Sequence, residues 1–594
     1  MTETKSLFCS CITLGECRMA GDYFNKELFR LRELARHFGN IYPELAPMLR
    51  RKSEDPDVER LLEGVAYLTG LTRQKMDEEF PELINDVSEV LFPHFLRAIP
   101  SVTLIHFPVK RGTRASIMLP ESTEVISIAN EGINCRFRTT TSQLLHPIEL
   151  EATEFHSSVD GAFSVSLDFI LNGNLPLSGT DIINLRICLS GEYEDSAKVF
   201  LLFSRYLSNL YLESEDGTRV RLCPETVRFP ALNETIFPSE RDEYSAFRMV
   251  REYFIFPEKF FFIELNELSE VKNFRGSKFR VFAEFTERPN WFSGQGNCSF
   301  MINVIPAINL YTVYADPIMN THREHEYIIV AGSEKNWHPD LYKVVNVTAT
   351  RAGKEDDVIY HPWYAIPDGK EGSVNGRIFR TIHKPNISGT GWDTFLSLYY
   401  TPDEERVTEI LSVSALATDG MSTARLRIGD ICIPTDYTPD GFRFSNISRV
   451  SPPFFPRDSV SLRWTLLSQM TLGFISAATT ESLKKILSLH VYHGQAVSIE
   501  ESNIRRIEGI QSVRSVPRHH IMGYSGVVHG YSIDITCNPS FYEGPGDLYL
   551  FGCILDDLFA ALSACNTFTQ LNLEDLSTGE KYQWPARSGS RILI

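Results

Sequence analysis

The side chains of this 594-residue chain best spaced for chemistry are His322, Glu324 and His325, in the run HREHE. Two imidazoles and a carboxylate are the groups a zinc hydrolase uses, but its histidines lie four apart on one helix face so that both reach one ion. Here they lie three apart, and the EYIIV that follows reads as a strand, which turns successive side chains to opposite faces. The run is read as polar residues entering a strand. His519 and His520 are adjacent, shortly after Pro517, and neighbours do not converge on one ion without other ligands; they read as loop histidines. Ser525 in GYSG lacks the G-x-S-x-G order of a strained nucleophile elbow and reads as a turn. GQGN from Gly294 leaves the dinucleotide fingerprint after its second glycine, and no G-x-x-x-x-G-K-[ST] phosphate loop occurs. Cys9, Cys11 and Cys17 are the only cysteine cluster, with no histidine or second pair following at zinc-site spacing. No catalytic, cofactor-binding or metal-binding residue is assigned, and the chain is read as a non-enzyme.

What the chain has in quantity is apolar faces that must be covered. Phe24, Leu28, Leu31, Ala35 and Phe38 recur at spacings of four and three, one narrow stripe on one helix. Asp55, Pro56, Asp57 and Glu59 together make a helix start: a cap, a proline at the first position, and acids at the positive end of the dipole. The helix they open runs to about Phe80 and repeats the stripe with Val58, Leu61, Val65, Leu68 and Thr72. A third helix is expected from Pro81 to before Pro93. After Phe107 the texture changes to short alternating runs, among them ASIMLP, INCRFRTTT, FSVSLDFIL, NLRICLSG and KFRVFAEF, which read as strands. SAKVFLLFSRYLSNLYLES stands apart, with Val199, Phe203, Tyr206, Leu207 and Leu210 predicting one helix face. Leu548 to Ala564 is a further helix, with Phe551, Leu555, Leu558 and Leu562 on one face beside strands around Tyr531.

These elements predict an α+β multidomain protein. A leader or disordered tail over 1–18 precedes a helical bundle and interaction domain over 19–107. A β-rich domain follows over 108–240, then a second over 241–455 with a flexible insertion near 335–390, rich in Gly, Pro, Asp and Lys. An α/β domain over 456–594, opened by Trp464 to Phe474, completes the chain. The candidate interface is the two N-terminal stripes, Phe24, Leu28, Leu31, Phe38, Val58, Leu61, Val65 and Leu68, with Phe551, Leu555 and Leu558 at the far end.

A net charge of −18 argues against nucleic acid, because phosphate backbones need a basic surface that releases counterions. The odd set of 11 cysteines, mostly far apart, suits a reducing compartment. The first residues make a poor signal peptide, and no apolar run is long enough for a spanning helix. FIFPEKFFFIEL, from Phe254, crowds five phenylalanines around Pro257, Glu258 and Lys259; it reads as core or subunit contact, its second half a strand buried on both faces.

The order of motifs resembles the TssF family of the bacterial type VI secretion system. YF-x-KEL-x-x-LREL, DP-x-VERLLEG-x-A-x-L, DEEFPEL and L-x-P-H-x-L carry the resemblance in the first part of the chain. FRMVREYFIFPEKFFFIEL, from Phe247 to Leu265, resembles the central signature of that family. The end matches through WTLLSQMTLGF, HGYSIDITCNPSFYEGPGDLYLFGCILDDLFAALSACNTFTQL and WPARSGSRIL. Ala417-Thr418-Asp419-Gly420 departs from a Cys-Thr-Asn-Arg run. The resemblance implies a structural wedge subunit of the baseplate, akin to phage baseplate wedge proteins. It implies two TssF copies to one TssG, joined by TssE and TssK around the VgrG hub. The implied place is the cytoplasmic face of the inner membrane, docked indirectly to the membrane complex without inserting, and the implied mechanism is mechanical triggering of the sheath. The alternative is a soluble enzyme or carbohydrate-binding protein with a β-rich middle.

Overall fold

The computed structural model describes residues 97–454 and 478–589 except loops at 158–162, 239–246, 333–338, 352–356, 365–376, 387–391, 401–406, 493–496 and 522–526 and a few single positions. From the N-terminal part it describes helical residues 24, 27–31, 34, 60–61, 63–72, 89 and 95. The chain divides into two compact units, residues 1–91 with 458–470, and residues 92–457 with 471–594. Trp464 to Phe474, expected to open the last domain, lies outside the described residues.

The second unit is built from mainly antiparallel sheets whose strands follow the alternation of the sequence. FSVSLDFIL is the strand Phe163–Leu171 and KFRVFAEF the strand Lys278–Phe285; they pair antiparallel, with the rings of Phe169 and Phe279 at 5.1 Å. Both lie in a 5-stranded sheet. A 6-stranded sheet holds Val102–His106 and Val304–Ile308 at its centre, its core built by Ile105, Phe107, Val125, Phe137 and Ile305. Cross-strand pairs of this kind stabilise a sheet by a few tenths to about 1 kcal/mol each beyond the burial itself. The family-like segment folds as the helix Arg248–Ile255, a turn Pro257–Phe260 and the strand Phe262–Leu265. Phe254, Phe256, Phe260, Phe261 and Phe262 are all buried, so the aromatic run is core.

Three expectations are corrected. The stretch near 335–390 supplies the strands Asp340–Arg351, Val358–Pro362 and Ile378–Pro385 to an 8-stranded sheet. Val344, Val347, Ala349 and Tyr360 in these strands face a buried core. The expected helix through Leu210 stops early: Tyr193–Leu201 is α-helix, Leu202–Tyr206 a wider turn, and Leu207–Ser214 a strand. From Leu207 the burial has period two, with Leu210, Leu212 and Ser214 inward, and pairing on both edges outweighs the helical pattern. His519 and His520 lie in the strand Ile510–Ile521 rather than a loop. That strand is at the edge of its sheet, the position where a proline such as Pro517 is tolerated.

The C-terminal stretch runs strand Val527–Cys537, helix Pro545–Leu562 and strand Thr567–Asp575, with the two strands parallel. A parallel pair needs a crossover, and the helix supplies it. This helix is buried nearly all round, as a central helix must be. It packs on its own sheet and also on the helices Tyr193–Leu201 and Arg248–Ile255. Two glycines permit that approach: a Cβ at Gly546 would strike the Ala197 backbone, and one at Gly552 the Trp584 ring. The stretch from 471 onward is thus part of the same compact unit as 92–457.

Candidate functional site

The HREHE run builds no metal centre. His322 has a left-handed backbone (φ 57°), its Nε2 lies 2.7 Å from the Val407 carbonyl and its ring packs against Tyr400, while His325 is exposed. Among the described residues no group of three or more His, Cys, Asp or Glu side chains is placed to hold an ion. Gly523 to Ser525 lie outside the described residues.

The polar group that the fold does bring together is Asp547, wholly buried in the first turn of the helix Pro545–Leu562. Its Oδ1 accepts the Tyr193 and Tyr253 hydroxyls, each at 2.7 Å. Its Oδ2 accepts Arg506 Nε at 2.9 Å and the Glu543 backbone N–H at 3.1 Å. Arg506 lies over both tyrosine rings, 5.3 Å from each centroid, and donates to Asn503 Oδ1 at 3.1 Å. Asn503 in turn donates to the Phe254 carbonyl at 2.9 Å, and Tyr542 to the Arg506 carbonyl at 2.9 Å. Four helices meet here: Tyr193–Leu201, Arg248–Ile255, Val497–Glu508 and Pro545–Leu562. Burial, with the carboxylate beside them, pushes both phenols well above the ordinary tyrosine range. They stay protonated as donors, and the carboxylate has two partners on each oxygen. The arrangement is a lock between helices.

A second lock lies in the same family-like segment. Glu252 and Lys259, both buried, form an ion pair; Glu252 Oε1 also accepts the Ile236 N–H at 2.9 Å, and Lys259 donates to the Glu234 carbonyl at 2.8 Å. In the 8-stranded sheet buried Glu409 accepts from Asn320 at 3.0 Å, from Arg377 at 2.9 Å and from the Tyr360 hydroxyl.

Of the Ala417-Thr418-Asp419-Gly420 run, Asp419 lines a cleft of about 430 Å³ together with Arg136, Tyr311 and Tyr314. Asp419 accepts Arg136 N at 3.0 Å, Asn309 Nδ2 at 2.7 Å and the Tyr311 hydroxyl at 2.6 Å. Burial, with the charges of Asp419 and Asp393 nearby, pushes Asp340 up to about 6. A raised carboxyl ionises in the unfolded chain first, so stability is lost as pH rises from about 4 to about 6. Asp340→Asn is therefore expected to stabilise the fold above pH 6 by about 1–2 kcal/mol and to change little near pH 4. Urea unfolding at both pH values checks this; an equal effect at both would refute the assignment to ionisation.

Of the residues singled out from sequence, Phe24 and Leu31 are half-buried and Leu28 is buried, on helical backbone. Phe38 and Val58 lie outside the described residues. On helical residues 60–72, Ala66 and Gly70 are buried, while Leu61, Val65 and Leu68 are 69%, 41% and 65% exposed. Phe551, Leu555 and Leu558 are wholly buried by this chain itself. They form core rather than the expected partner surface, because a central helix leaves no face over. Asp547, Arg506, Tyr193, Tyr253 and Glu252 were not singled out by sequence reasoning. The available signal was an acid one residue after a Gly-Pro-Gly helix start, and that signal does not say what the acid meets.

Residues 18–591 match the family model described as Type VI secretion system, TssF. The type VI secretion system component TssF1 of Pseudomonas aeruginosa is 24% identical, over 96% of this chain and 98% of that one. A chain of the TssK-TssF-TssG baseplate subcomplex, solved by cryo-electron microscopy, superposes with a TM-score of 0.74 at 24% identity, covering 90% of this chain and 99% of that chain. A chain of the baseplate complex from the type VI secretion system gives a TM-score of 0.59 at 21% identity, covering 97% and 100%. Two segments that carry the resemblance, around Tyr253 and Asp547, are those that the buried lock joins. With the match running through nearly its whole length, the chain belongs to the TssF family of the type VI secretion system.

Proposed function

We propose that this chain is a structural wedge subunit of the type VI baseplate, assembling with TssG and TssK and acting through docking rather than catalysis. Two copies bind one TssG, TssE joins them, and the wedges surround the VgrG hub on the cytoplasmic side of the inner membrane, meeting the membrane complex indirectly. Rearranged docking contacts then pass the firing signal to the sheath.

The observation that carries this reading is the helix of residues 60–72. Its Ala66 and Gly70 face is buried, while Leu61, Val65 and Leu68 stand exposed in one stripe, an apolar face with the helical spacing that a partner helix covers. Burying apolar area is worth roughly 25 cal/mol per Å² before the cost of association is subtracted, so such a stripe is a strong docking element only when it is covered completely. Family membership and the likeness to a chain of a TssK-TssF-TssG subcomplex support the choice of partner. Among the described residues no helix is long and apolar enough to cross a membrane.

The test is co-expression with TssG and mass measurement of the purified particle. A stable complex with two copies of this chain per TssG is expected. A chain that is monodisperse alone and ignores TssG would refute the proposal and favour a self-sufficient enzyme or sugar-binding protein.

A further inference from the structure

The strands Ile510–Ile521 and Val527–Cys537 pair antiparallel, and their register sets His519 directly opposite His529. Both side chains are exposed. Their Nδ1 atoms are 2.7 Å apart and the rings cross at 84° with centroids at 4.5 Å. Neighbours along a strand turn to opposite faces, whereas residues opposite one another across a ladder converge. His529 is the second imidazole that His519 lacks in the linear sequence.

Two imidazoles meeting through Nδ1 need something between the two nitrogens. Either one ring donates its Nδ1–H to the other, or both rings carry their proton on Nε2 and present lone pairs to a cation. We propose that His519 and His529 form a two-imidazole site for a divalent late first-row transition ion. Imidazole nitrogens suit Cu²⁺, Ni²⁺ and Zn²⁺ among such ions. With metal–nitrogen bonds of about 2.0–2.1 Å, a right angle at the metal sets the nitrogens about 2.9 Å apart and a tetrahedral angle about 3.3 Å. The hydrogen-bonded 2.7 Å is shorter than either, so the rings must part to admit an ion, and they part least for the right angle of tetragonal Cu²⁺ or Ni²⁺. On binding, the proton shared between the two Nδ1 atoms moves to Nε2 of its own ring, no net proton is released, and water fills the remaining positions. Mg²⁺, which takes oxygen ligands, is excluded by the same chemistry.

The full-length chain would be titrated with Ni²⁺ and Cu²⁺, with Mg²⁺ as the negative control. His519→Ala and His529→Ala would be compared with His325→Ala, an exposed histidine outside the pair. One saturable equivalent is expected in the wild type and in His325→Ala. It should weaken at least about tenfold in each pair variant, the smallest loss that changes around a metal ligand commonly produce. The positions are exposed, so thermal midpoints should not move. Electron paramagnetic resonance of the Cu²⁺ form of the wild type gives an independent reading, with coupling to two nitrogens expected. Titration curves unchanged by either pair substitution, absence of a saturable equivalent, or coupling to a single nitrogen would overturn the proposal and leave the pair as a hydrogen bond alone.

Discussion

Asp547→Ala is expected to destabilise the second unit by about 3–5 kcal/mol, the usual penalty for removing one partner of a buried ion pair. The cause is less the lost attraction than what remains. Arg506 is 5% exposed and would keep its charge with its Nε facing a void, and the Tyr193 and Tyr253 hydroxyls would lose their acceptor together. A buried donor left without a partner costs about 1–3 kcal/mol by itself. Asp547→Asn keeps the shape and some acceptors but not the charge, and should fall between. Pairing Asp547→Ala with Arg506→Met removes the stranded charge and should recover part of the loss, since apolar replacement of both partners is often neutral. Urea unfolding of the three variants measures this order. If Asp547→Ala stayed within about 0.5 kcal/mol of wild type, as ordinary surface changes do, the lock would not bear on stability. Because the network joins four helices drawn from distant parts of the chain, its loss should also lower the cooperativity of unfolding.

The second large effect is expected on assembly rather than on folding. Leu61→Glu combined with Leu68→Glu should leave the isolated chain as stable as wild type within about 0.5 kcal/mol, because both side chains are already exposed. Co-purification with TssG should be lost. Full burial of a leucine is worth about 1.5–3 kcal/mol, so two give about 3–6 kcal/mol and a hundredfold or greater drop in affinity even before the charges are desolvated. Ala66→Glu is the contrasting variant. Ala66 is wholly buried, so a charge there should damage folding first. A double glutamate variant that folds and still retains TssG would show that this stripe faces solvent in the assembled particle and would place the docking surface elsewhere.

The sequence by itself determined what local physics decides. Alternation in FSVSLDFIL and KFRVFAEF marked two strands to the residue, and the apolar face of Leu548–Ala564 marked a helix within a few residues of its ends. HREHE departs from the His-Glu-x-x-His spacing of a helical zinc motif, and that much is legible in the sequence alone. Where two local patterns competed, as from Leu202 to Ser214, the sequence was ambiguous. Tertiary pairing with Lys278–Phe285 and Arg219–Leu222 chose the strand. Partners far apart in the chain were beyond reach in the same way: Tyr193 and Asp547 are 354 residues apart, and no periodicity encodes that hydrogen bond. Nor does a stripe say who covers it. The same period of 3.6 places Leu555 in this chain's own core and leaves Leu61 and Leu68 in the open, because periodicity fixes which residues share a face, while topology decides what meets that face.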